Sequence, residues 1–309
     1  MQDILILEPI FKERIWGGKK LYNEFQYNIP SNKTGECWAI SAHKNGDCKI
    51  LNGKLKDKTL SYVYNHYREL FNNSTHPFFP LLTKILDANN DLSVQVHPND
   101  EYALKYENYL GKTECWYIID CDDDAEIIIG HNARNKNEMI KMIEKNKWQK
   151  FLKRIKIQPG DFFYVPSGTI HALCKGTLVL ETQQSSDTTY RLYDYDRLDN
   201  NGNKRELHIN KAIDVIEVPH KNKTLEKKVS KIENLILTQY LSSKYFTVEK
   251  WEINGTVKKT ISKFKLVSVL NGDGTINNHP INKGVHFIIT SNCSEVSLSG
   301  NLELIISYL

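Results

Sequence analysis

The sequence predicts a mainly β protein, a β-sandwich or barrel that carries helical insertions. Short segments of alternating apolar residues, separated by Gly and Pro turns, occur before residue 131, between residues 155 and 192, and again over residues 236–309. Many short strands with such turns are typical of sandwiches and barrels. Helical spacing of apolar residues is confined to short stretches, so we expect the helices to be insertions and appendages to the β framework.

The individual elements follow from local patterns. Alternating apolar residues or apolar runs bounded by Gly, Pro and Asn predict strands over residues 36–41, 80–86, 92–97, 111–119 and 125–130, and several more between residues 155 and 192. Apolar residues at helical spacing predict a helix over residues 57–71, one or two amphipathic helices over 135–154, a short helix or turn over 100–107 and part of a helix over 211–215.

Length and composition place the chain among ordinary globular proteins. Its 309 residues suffice for one large domain or two modest ones. Hydrophobic residues make up 40% and charged residues 25%, and the net charge is +4 with His neutral. This balance argues against nucleic-acid and membrane partners, although it leaves room for a local basic pocket that holds an anionic small molecule.

The termini and the cysteines indicate a cytoplasmic protein. Residues 1–9 contain neither a basic leader nor a long apolar run, so no signal peptide is predicted. No apolar segment is long enough to cross a bilayer. The six cysteines are scattered without a C-x-x-C pair, which favours reduced thiols over a zinc ribbon or a disulfide framework.

The most informative stretch runs from Leu92 to Asp100 and reads Leu-Ser-Val-Gln-Val-His-Pro-Asn-Asp. It predicts a strand that ends in a Pro-Asn turn. Because side chains alternate between the faces of a strand, Gln95 and His97 point the same way, and the apolar residues between them point into a core. An amide and an imidazole are therefore presented together from one rigid surface.

Two other segments supply further candidate ligands for a metal. Glu114 begins a strand and shares its face with Lys112, and His171 follows a Pro-x-Gly turn between two strands. With Gln95 and His97 they form a set of nitrogen and oxygen donors suited to Zn²⁺ and its first-row neighbours. Two imidazoles and one carboxylate leave positions for water or substrate, which is the catalytic pattern. Taken singly, His97 also fits a surface turn and Glu114 a solvated strand end.

Three other charged residues have ordinary interpretations from their neighbours alone. Glu36 lies on a strand face with apolar residues, where an exposed strand end is favoured, and Lys84 fits a solvated edge position. Residues 190–197 alternate like a strand, which would place Arg191, Tyr193, Tyr195 and Arg197 on one face. The alternative for Arg191 is a surface salt bridge to a neighbouring Asp, 194 or 196.

A detailed motif connects these candidates with a known family. The pattern Gly160-x5-Pro166-x-Gly168-x2-His171 matches the second motif of the cupins. The first cupin motif, with its His-x-His pair, is replaced by Gln95-Val96-His97-Pro98. With the Lys-Thr-Glu that begins at residue 112, this arrangement resembles type I phosphomannose isomerase (mannose-6-phosphate isomerase), in particular the short bacterial class that lacks a large helical domain. The resemblance extends from Trp16-Gly17-Gly18 to the C-terminus.

The resemblance implies a cupin-type jelly-roll barrel, one Zn²⁺ per chain and a set of site residues. The implied metal ligands are Gln95, His97, Glu114 and His171. The implied catalytic residues are Arg191, Lys112 and Asp187. The implied substrate-binding residues are Lys84, Ser93, Trp16 and Glu36. The longer enzymes commonly have Lys-Pro-Glu where this chain has Lys112-Thr113-Glu114, and Lys175 stands where a typical cupin has Asn; neither departure removes a ligand.

The C-terminal stretch repeats the motif region weakly. Five residues recur at one constant offset: Gly160, Phe163, Gly176, Leu178 and Leu180 correspond to Gly284, Phe287, Gly300, Leu302 and Leu304. The same offset replaces the turn residues and the metal-ligand His, placing Thr290, Asn292 and Glu295 where Pro166, Gly168 and His171 stand. We therefore predict a metal-binding cupin domain over residues 1–235 and a smaller, degenerate cupin-like β unit without metal over residues 236–309. His279 and His286 are expected to be ordinary residues.

The family resemblance implies an aldose-ketose isomerase that interconverts mannose 6-phosphate and fructose 6-phosphate through a cis-enediol. The sequence leaves the general base open between a metal-bound hydroxide, Asp187, and Lys112 with a lowered pKa. Two alternatives are a non-catalytic cupin that binds sugar phosphates and a metal-dependent cupin oxygenase, which the missing His-x-His disfavours. The expected partner is a small sugar phosphate, and the expected assembly is a monomer or a homodimer.

Overall fold

The structure is a computed structural model, and it describes residues 2–198, 202–223 and 225–309. Within these residues the strands are β1 Ile4–Glu8, β2 Ile10–Gly18, β3 Thr34–Ile40, β4 Ala42–His43, β5 Gly46–Asp47, β6 Lys49–Ile50, β7 Leu81–Ala88, β8 Val94–Val96, β9 Glu114–Cys121, β10 Glu126–His131, β11 Leu152–Lys156, β12 Phe162–Val165, β13 His171–Leu173, β14 Thr177–Gln184, β15 Tyr190–Tyr193, β16 Lys228–Ile232, β17 Leu235–Ser242, β18 Thr247–Thr260, β19 Lys265–Ile276, β20 His279–Asn282, β21 His286–Ile289 and β22 Glu295–Tyr308. The helices are α1 Lys20–Phe25, α2 Leu60–His66, α3 Asp100–Tyr106, α4 Lys136–Glu144, α5 Trp148–Phe151 and α6 Ile209–Val215. The predicted mainly β class is confirmed.

Two antiparallel sheets face each other and form the larger sandwich. One has the order β11-β10-β13-β8-β15, and the other has the order β12-β9-β14-β7-β3-β2. Between them lies an apolar cluster that includes Leu86, Trp116 and Val179 from one sheet and Ile127 and Leu173 from the other. This layer fixes the distance between the sheets, and therefore also the distance between polar side chains that point into the same gap.

A third sheet forms the C-terminal unit. Its order is β16-β17-β18-β22-β19-β21-β1-β6, and β20 pairs with β19. Its own apolar core includes Trp251, Val267 and Phe287. The N-terminal strand β1 pairs with β21, so that Ile4 lies opposite Ile289. The C-terminal sheet is thus completed by residues from the start of the chain, which the sequence patterns do not reveal.

The helices begin where the sequence supplies a capping side chain. Thr59, Asn99 and Asn135 accept hydrogen bonds from backbone N–H groups in the first turns of α2, α3 and α4. The pattern predicted over residues 57–71 is α2 followed by a 3-10 turn over Arg68–Phe71. The pattern over residues 135–154 forms two helices, α4 and α5, and its last three residues already belong to β11.

The predicted strand over residues 190–197 is too long. β15 ends at Tyr193 because Tyr195 and Asp196 adopt positive φ angles of 58° and 55°. Residues beyond the strand are therefore not held on one face with Arg191, as the alternation suggested. No helix in the described part of the chain is long and apolar enough to span a membrane.

The weak repeat has a structural counterpart. β12 and β21 begin and end at positions related by the sequence offset, and Gly160 and Gly284, just before them, have φ angles of 90° and 91°. Gly176 and Gly300 also have positive φ, 86° and 136°. Glycine tolerates this left-handed region without the Cβ penalty. The turn before β12 therefore recurs before β21, whereas Gly176 lies in a turn and Gly300 lies within β22.

Candidate metal centre and adjoining cavity

The two facing sheets bring the candidate ligands together. In one sheet β8 lies between β13 and β15, so that Gln95 has His171 opposite it on one side and Arg191 on the other. Glu114 is the first residue of β9 in the facing sheet. Residues far apart in sequence therefore meet across the sandwich, because each lies near the end of a short strand that points toward the same gap.

The donor atoms form a compact cluster. His97 Nε2 lies 3.3 Å from Glu114 Oε2, and His171 Nε2 lies 3.4 Å from Glu114 Oε1. The ligand atoms of these three residues all lie within 4.8 Å of one another. The side-chain amide of Gln95 adds a fourth group, 3.3 Å from His171 Nε2. Four side chains from three segments therefore converge on one point.

Backbone carbonyls fix the orientation of both imidazoles. His97 Nδ1 lies 2.9 Å from the carbonyl oxygen of Thr188, and His171 Nδ1 lies 2.9 Å from that of Thr169. A carbonyl oxygen only accepts, so each Nδ1 carries the hydrogen and each Nε2 presents its lone pair to the cluster. This arrangement is the usual second shell of a metal-binding histidine.

The charges in the cluster suit a metal site. Burial, together with the positive charge of Lys112, lowers the pKa of His97 to about 3, and burial also lowers the pKa of His171. Burial alone would raise the pKa of Glu114, but Lys112 and the imidazoles hold it well below its ordinary value. At neutral pH the cluster therefore offers two neutral imidazoles and one carboxylate.

The residues fit a divalent metal ion. Both carboxylate oxygens of Glu114 are buried without a hydrogen-bond donor, although Oε2 forms an ion pair with Lys112 Nζ at 2.8 Å. Ligands bound at 2.0–2.1 Å to a tetrahedral ion lie about 3.3–3.4 Å apart, close to the separations between Glu114 and the imidazoles. Buried carboxylate oxygens that lack donors are costly unless something positive satisfies them.

A cavity of about 520 Å³ opens next to the cluster. All the residues that the family resemblance assigned to catalysis or substrate binding line it, together with the ligand candidate Gln95. These residues are Trp16, Glu36, Lys84, Ser93, Lys112, Asp187 and Arg191. The remaining ligand candidates, His97, Glu114 and His171, lie in the buried cluster beside it. The structure thus brings the predicted residues to one place.

The exposure expected for Glu36 and Lys84 from local pattern is wrong. Glu36 is 8% exposed and Lys84 is 4% exposed. Arg14 donates two hydrogen bonds to Glu36, at 2.8 and 3.1 Å, and Trp38 donates a third at 2.6 Å. Burial would raise the pKa of Glu36, but Lys84 and Arg14 lower it to about 2. Trp38 lies on the same strand as Glu36, but the charged partners Arg14 and Lys84 come from other strands, which is why the local pattern pointed to solvent. The surface interpretations of His97 and Glu114 fail for the same reason, since they are 1% and 0% exposed.

Arg191 does not form the surface salt bridge that was its alternative. Its Nε donates to Ser93 Oγ at 3.3 Å, and its Nη1 donates to the carbonyl oxygen of Glu206 at 2.9 Å. Asp194 instead binds Arg197 and Arg205. The guanidinium of Arg191 is therefore fixed at the cavity wall, beside the strand that carries Gln95.

Sequence reasoning missed Glu181, which also lines the cavity. It lies in β14 directly opposite Lys84 of β7 and is 3% exposed. Trp116 Nε1 donates to its Oε2 at 3.0 Å, and Lys112 Nζ lies 3.8 Å from its Oε1. Burial and the charge of Glu114 raise the pKa of Glu181 to about 7. A lone Glu at the end of the apolar run Leu-Val-Leu was the one available signal.

Comparison with known proteins connects this site with one family. The family model "Phosphomannose isomerase type I, catalytic domain" matches residues 4–129, and "Mannose-6-phosphate isomerase, cupin domain" matches residues 236–309. The probable mannose-6-phosphate isomerase GmuF of Bacillus subtilis is 54% identical, with 100% of both chains covered. A crystal structure of the mannose 6-phosphate isomerase from Bacillus subtilis superposes with a TM-score of 0.98 at 48% identity, again over 100% of both chains.

A more distant solved structure shows how widely the fold is shared. A zinc-bound mannose 6-phosphate isomerase has a TM-score of 0.81 at 14% identity, with 99% of each chain covered. Identity of about one half over the full length of both chains shows more than a common fold. The chain belongs to the type I phosphomannose isomerases, the cupin-fold enzymes also called mannose-6-phosphate isomerases.

Proposed function

We propose that the protein interconverts mannose 6-phosphate and fructose 6-phosphate through a cis-enediol, with one Zn²⁺ held by Gln95, His97, Glu114 and His171. The observation that carries the proposal is the buried cluster of two neutral imidazoles and one carboxylate beside a cavity lined by cations. The bound ion would act as a Lewis acid toward the substrate oxygens. The family relationship supports the same activity.

Moving a proton between C1 and C2 places negative charge on the substrate oxygens. The site offers two fixed cations for that charge. Lys112 stays protonated, because Glu114 and Glu181 raise its pKa despite its burial. Arg191 has Nε and Nη1 bonded to the protein, and Nη2, which has no acceptor among the described residues, is available to the substrate. Fixed cations in a site that excludes water stabilise developing charge without reorganising.

The proton itself requires a group that both takes and gives it. A lowered pKa for Lys112, one of the options left by the sequence, is wrong, since the pKa of Lys112 is raised. Glu181 is the better candidate, because a pKa of about 7 matches a general acid and base working near neutrality. Its Oε1 faces Lys112 Nζ, whereas Oε2 is occupied by Trp116. We assign Oε1 as the atom that moves the proton, and Asp187 as a cavity-lining acid.

Two organisational features complete the proposal. We assign residues 1–235 to the metal-binding unit and residues 236–309 to a cupin-like unit without metal. In that unit His286 is occupied by Tyr27 and Ser268 rather than by other ligand residues. A cytoplasmic location agrees with six cysteines that are all unpaired.

The test is turnover of fructose 6-phosphate by purified protein, together with metal analysis. We expect isomerisation and about one Zn²⁺ per chain. Replacing Arg191 with Ala should lower kcat by about a hundredfold to a thousandfold, the usual effect of losing one group that stabilises transition-state charge, with zinc still bound. Arg154→Ala is the matched control, because Arg154 pairs with Glu126 in β10, away from the cavity. A folded, zinc-loaded protein without turnover would exclude the proposed activity.

A further inference from the structure

The cavity has two walls that differ in charge balance. On the first, Arg14, Lys84 and Lys112 lie among the carboxylates of Glu13, Glu36, Glu181 and Asp187, so that negative groups outnumber positive ones by one. On the second, Arg191 and Arg205 line the cavity, and with Arg197 they are grouped around one buried carboxylate, that of Asp194. The carboxylate of the nearby Glu206 is 82% exposed and points into solvent. The second wall therefore carries the excess positive charge of the cavity.

The three arginines of this wall use their nitrogens differently. Arg197 donates through Nε to the carbonyl of Asp194, through Nη1 to the carbonyl of Asp91, and through Nη2 to the carboxylate of Asp194 at 2.6 Å. All three of its nitrogens are therefore occupied by the protein. Its guanidinium holds the loop that follows β15, and none of its nitrogens is without a protein acceptor.

Arg205 has one nitrogen to spare. Its Nε lies 2.7 Å from Asp194 Oδ2 and its Nη2 lies 2.6 Å from Asp194 Oδ1, a bidentate pair that fixes the plane of the guanidinium. Within the described residues Nη1 has no hydrogen-bond acceptor, and Arg205 lines the cavity. A fixed guanidinium with one unpaired N–H₂ group is suited to an anionic oxygen.

A second donor lies nearby on the same wall. Ser93 Oγ accepts the hydrogen bond from Arg191 Nε, which leaves its own O–H free to donate. Ser93 stands two residues before Gln95, about 7 Å along an extended chain. The pKa of Arg191 is lowered by burial and by the positive charge of Arg205. An anion placed beside these groups would relieve their mutual repulsion.

We propose that Arg205, with the hydroxyl of Ser93, binds the phosphate group of the sugar phosphate, while Arg191 serves the reacting end. The inference rests on the proposed function and adds to it a residue that determines preference for phosphorylated sugars. A phosphate monoester carries a charge of about −1.5 to −2 near pH 7, which matches the excess of the wall.

The experiment compares sorbitol 6-phosphate with sorbitol as ligands of the zinc-loaded protein. Neither has a carbonyl group, so neither reacts, and the ratio of their inhibition or dissociation constants isolates the phosphate. Arg205→Gln should weaken sorbitol 6-phosphate about tenfold to a hundredfold, the range expected for one charge-assisted hydrogen bond, and leave sorbitol unchanged. KM for fructose 6-phosphate should rise to a similar degree, and kcat should change less than about threefold. The affinity of Arg205→Lys for sorbitol 6-phosphate should lie between those of Arg205→Gln and the unaltered protein.

Arg197→Gln is the matched control, because it removes one positive charge beside the same Asp194 carboxylate but no nitrogen that lacks a protein acceptor. Equal weakening of sorbitol 6-phosphate by Arg197→Gln would mean that only the overall field matters and would overturn the proposal. The proposal would also be overturned if Arg205→Gln bound sorbitol 6-phosphate as tightly as the unaltered protein, or if Arg205→Gln lowered kcat for fructose 6-phosphate at constant KM. If Arg205→Gln fails to fold, an Arg205→Lys protein that binds as tightly as the unaltered one also overturns it. If the unaltered protein turns over no sugar phosphate but shows these binding differences, the proposed function fails and the phosphate site stands.

Discussion

Glu114 has two sources of positive charge, the ammonium of Lys112 and the proposed metal ion. Replacing Lys112 with Met removes the first and leaves the second. Lys112 Nζ lies 2.8 Å from Glu114 and 3.8 Å from Glu181, and Lys112 and Glu114 are 5% and 0% exposed. Removing one partner of a buried ion pair typically costs about 3–5 kcal/mol. We expect a loss of that size in the free energy of unfolding of the metal-free Lys112→Met protein at pH 8.

The pH and the metal should each reduce this loss. Glu181 has its pKa raised to about 7 although Lys112 lowers it. Without Lys112 the pKa rises further, so Glu181 takes up a proton as the pH falls from 8 to 6 and one of the two uncompensated charges disappears. A bound divalent ion supplies positive charge to Glu114 and, without the neighbouring ammonium to repel it, should bind more tightly than in the unaltered protein. Turnover should still fall by about a hundredfold to a thousandfold, since a cation that serves the transition state is gone.

The assay is urea unfolding with and without zinc, at pH 6 and pH 8, for Lys112→Met and the unaltered protein. Lys156→Met is the control, because its partner Asp124 is fully exposed and its loss should leave the unfolding curve unchanged. The reasoning is refuted if metal-free Lys112→Met is as stable as the unaltered protein, or if zinc leaves the deficit as large as before.

Two further predictions concern the C-terminal unit. The hydroxyl of Tyr27 donates to the carbonyl of Gly284 and accepts from buried His286, both at 2.8 Å. Tyr27→Phe should therefore lower the free energy of unfolding by about 1–3 kcal/mol. A free energy from chemical unfolding within 0.5 kcal/mol of that of the unaltered protein (about the error of the method) would contradict this prediction. Burial lowers the pKa of Lys265 to about 8 despite the attraction of Glu249. The folded state therefore holds this proton less tightly than the unfolded chain, and stability is gained as pH rises from about 8 to the ordinary value of 10.5. Lys265→Met should thus stabilise the protein at pH 7 by up to about 3 kcal/mol, and its advantage should disappear by pH 10.5. Lys265 Nζ also lies over the ring of Tyr308, 3.3 Å from its centre. A variant that is less stable than the unaltered protein at pH 7 would show that this contact outweighs the cost of burial.

Sequence reasoning singled out the residues of the candidate metal cluster because each of them sits in a short pattern of its own. Alternation places Gln95 and His97 on one face, and the Pro-x-Gly turn marks the start of β13 at His171. These are local features, and the family resemblance assembled them. What it could not provide was the burial of Glu36 and Lys84, since their compensating partners come from other strands.

Glu181 was missed for a related reason. β14 is buried along its entire length, so its side chains do not alternate between apolar and polar faces, and a carboxylate within it carries no periodic signal. Its meaning comes from register, because it is paired with Lys84 on one side and Trp116 on the other. Register between strands about a hundred residues apart is a property of the assembled sheet and is not written in any one segment.

The pairing of β1 with β21 has a consequence for synthesis and for fragments. β1 is synthesised long before its partner strand at His286–Ile289. Until that partner has been made, β1 has no edge to join on that side, and a fragment that starts at residue 236 would expose the corresponding edge of β21. A peptide carrying residues 2–9, added in trans to such a fragment, is the natural complement that would close it.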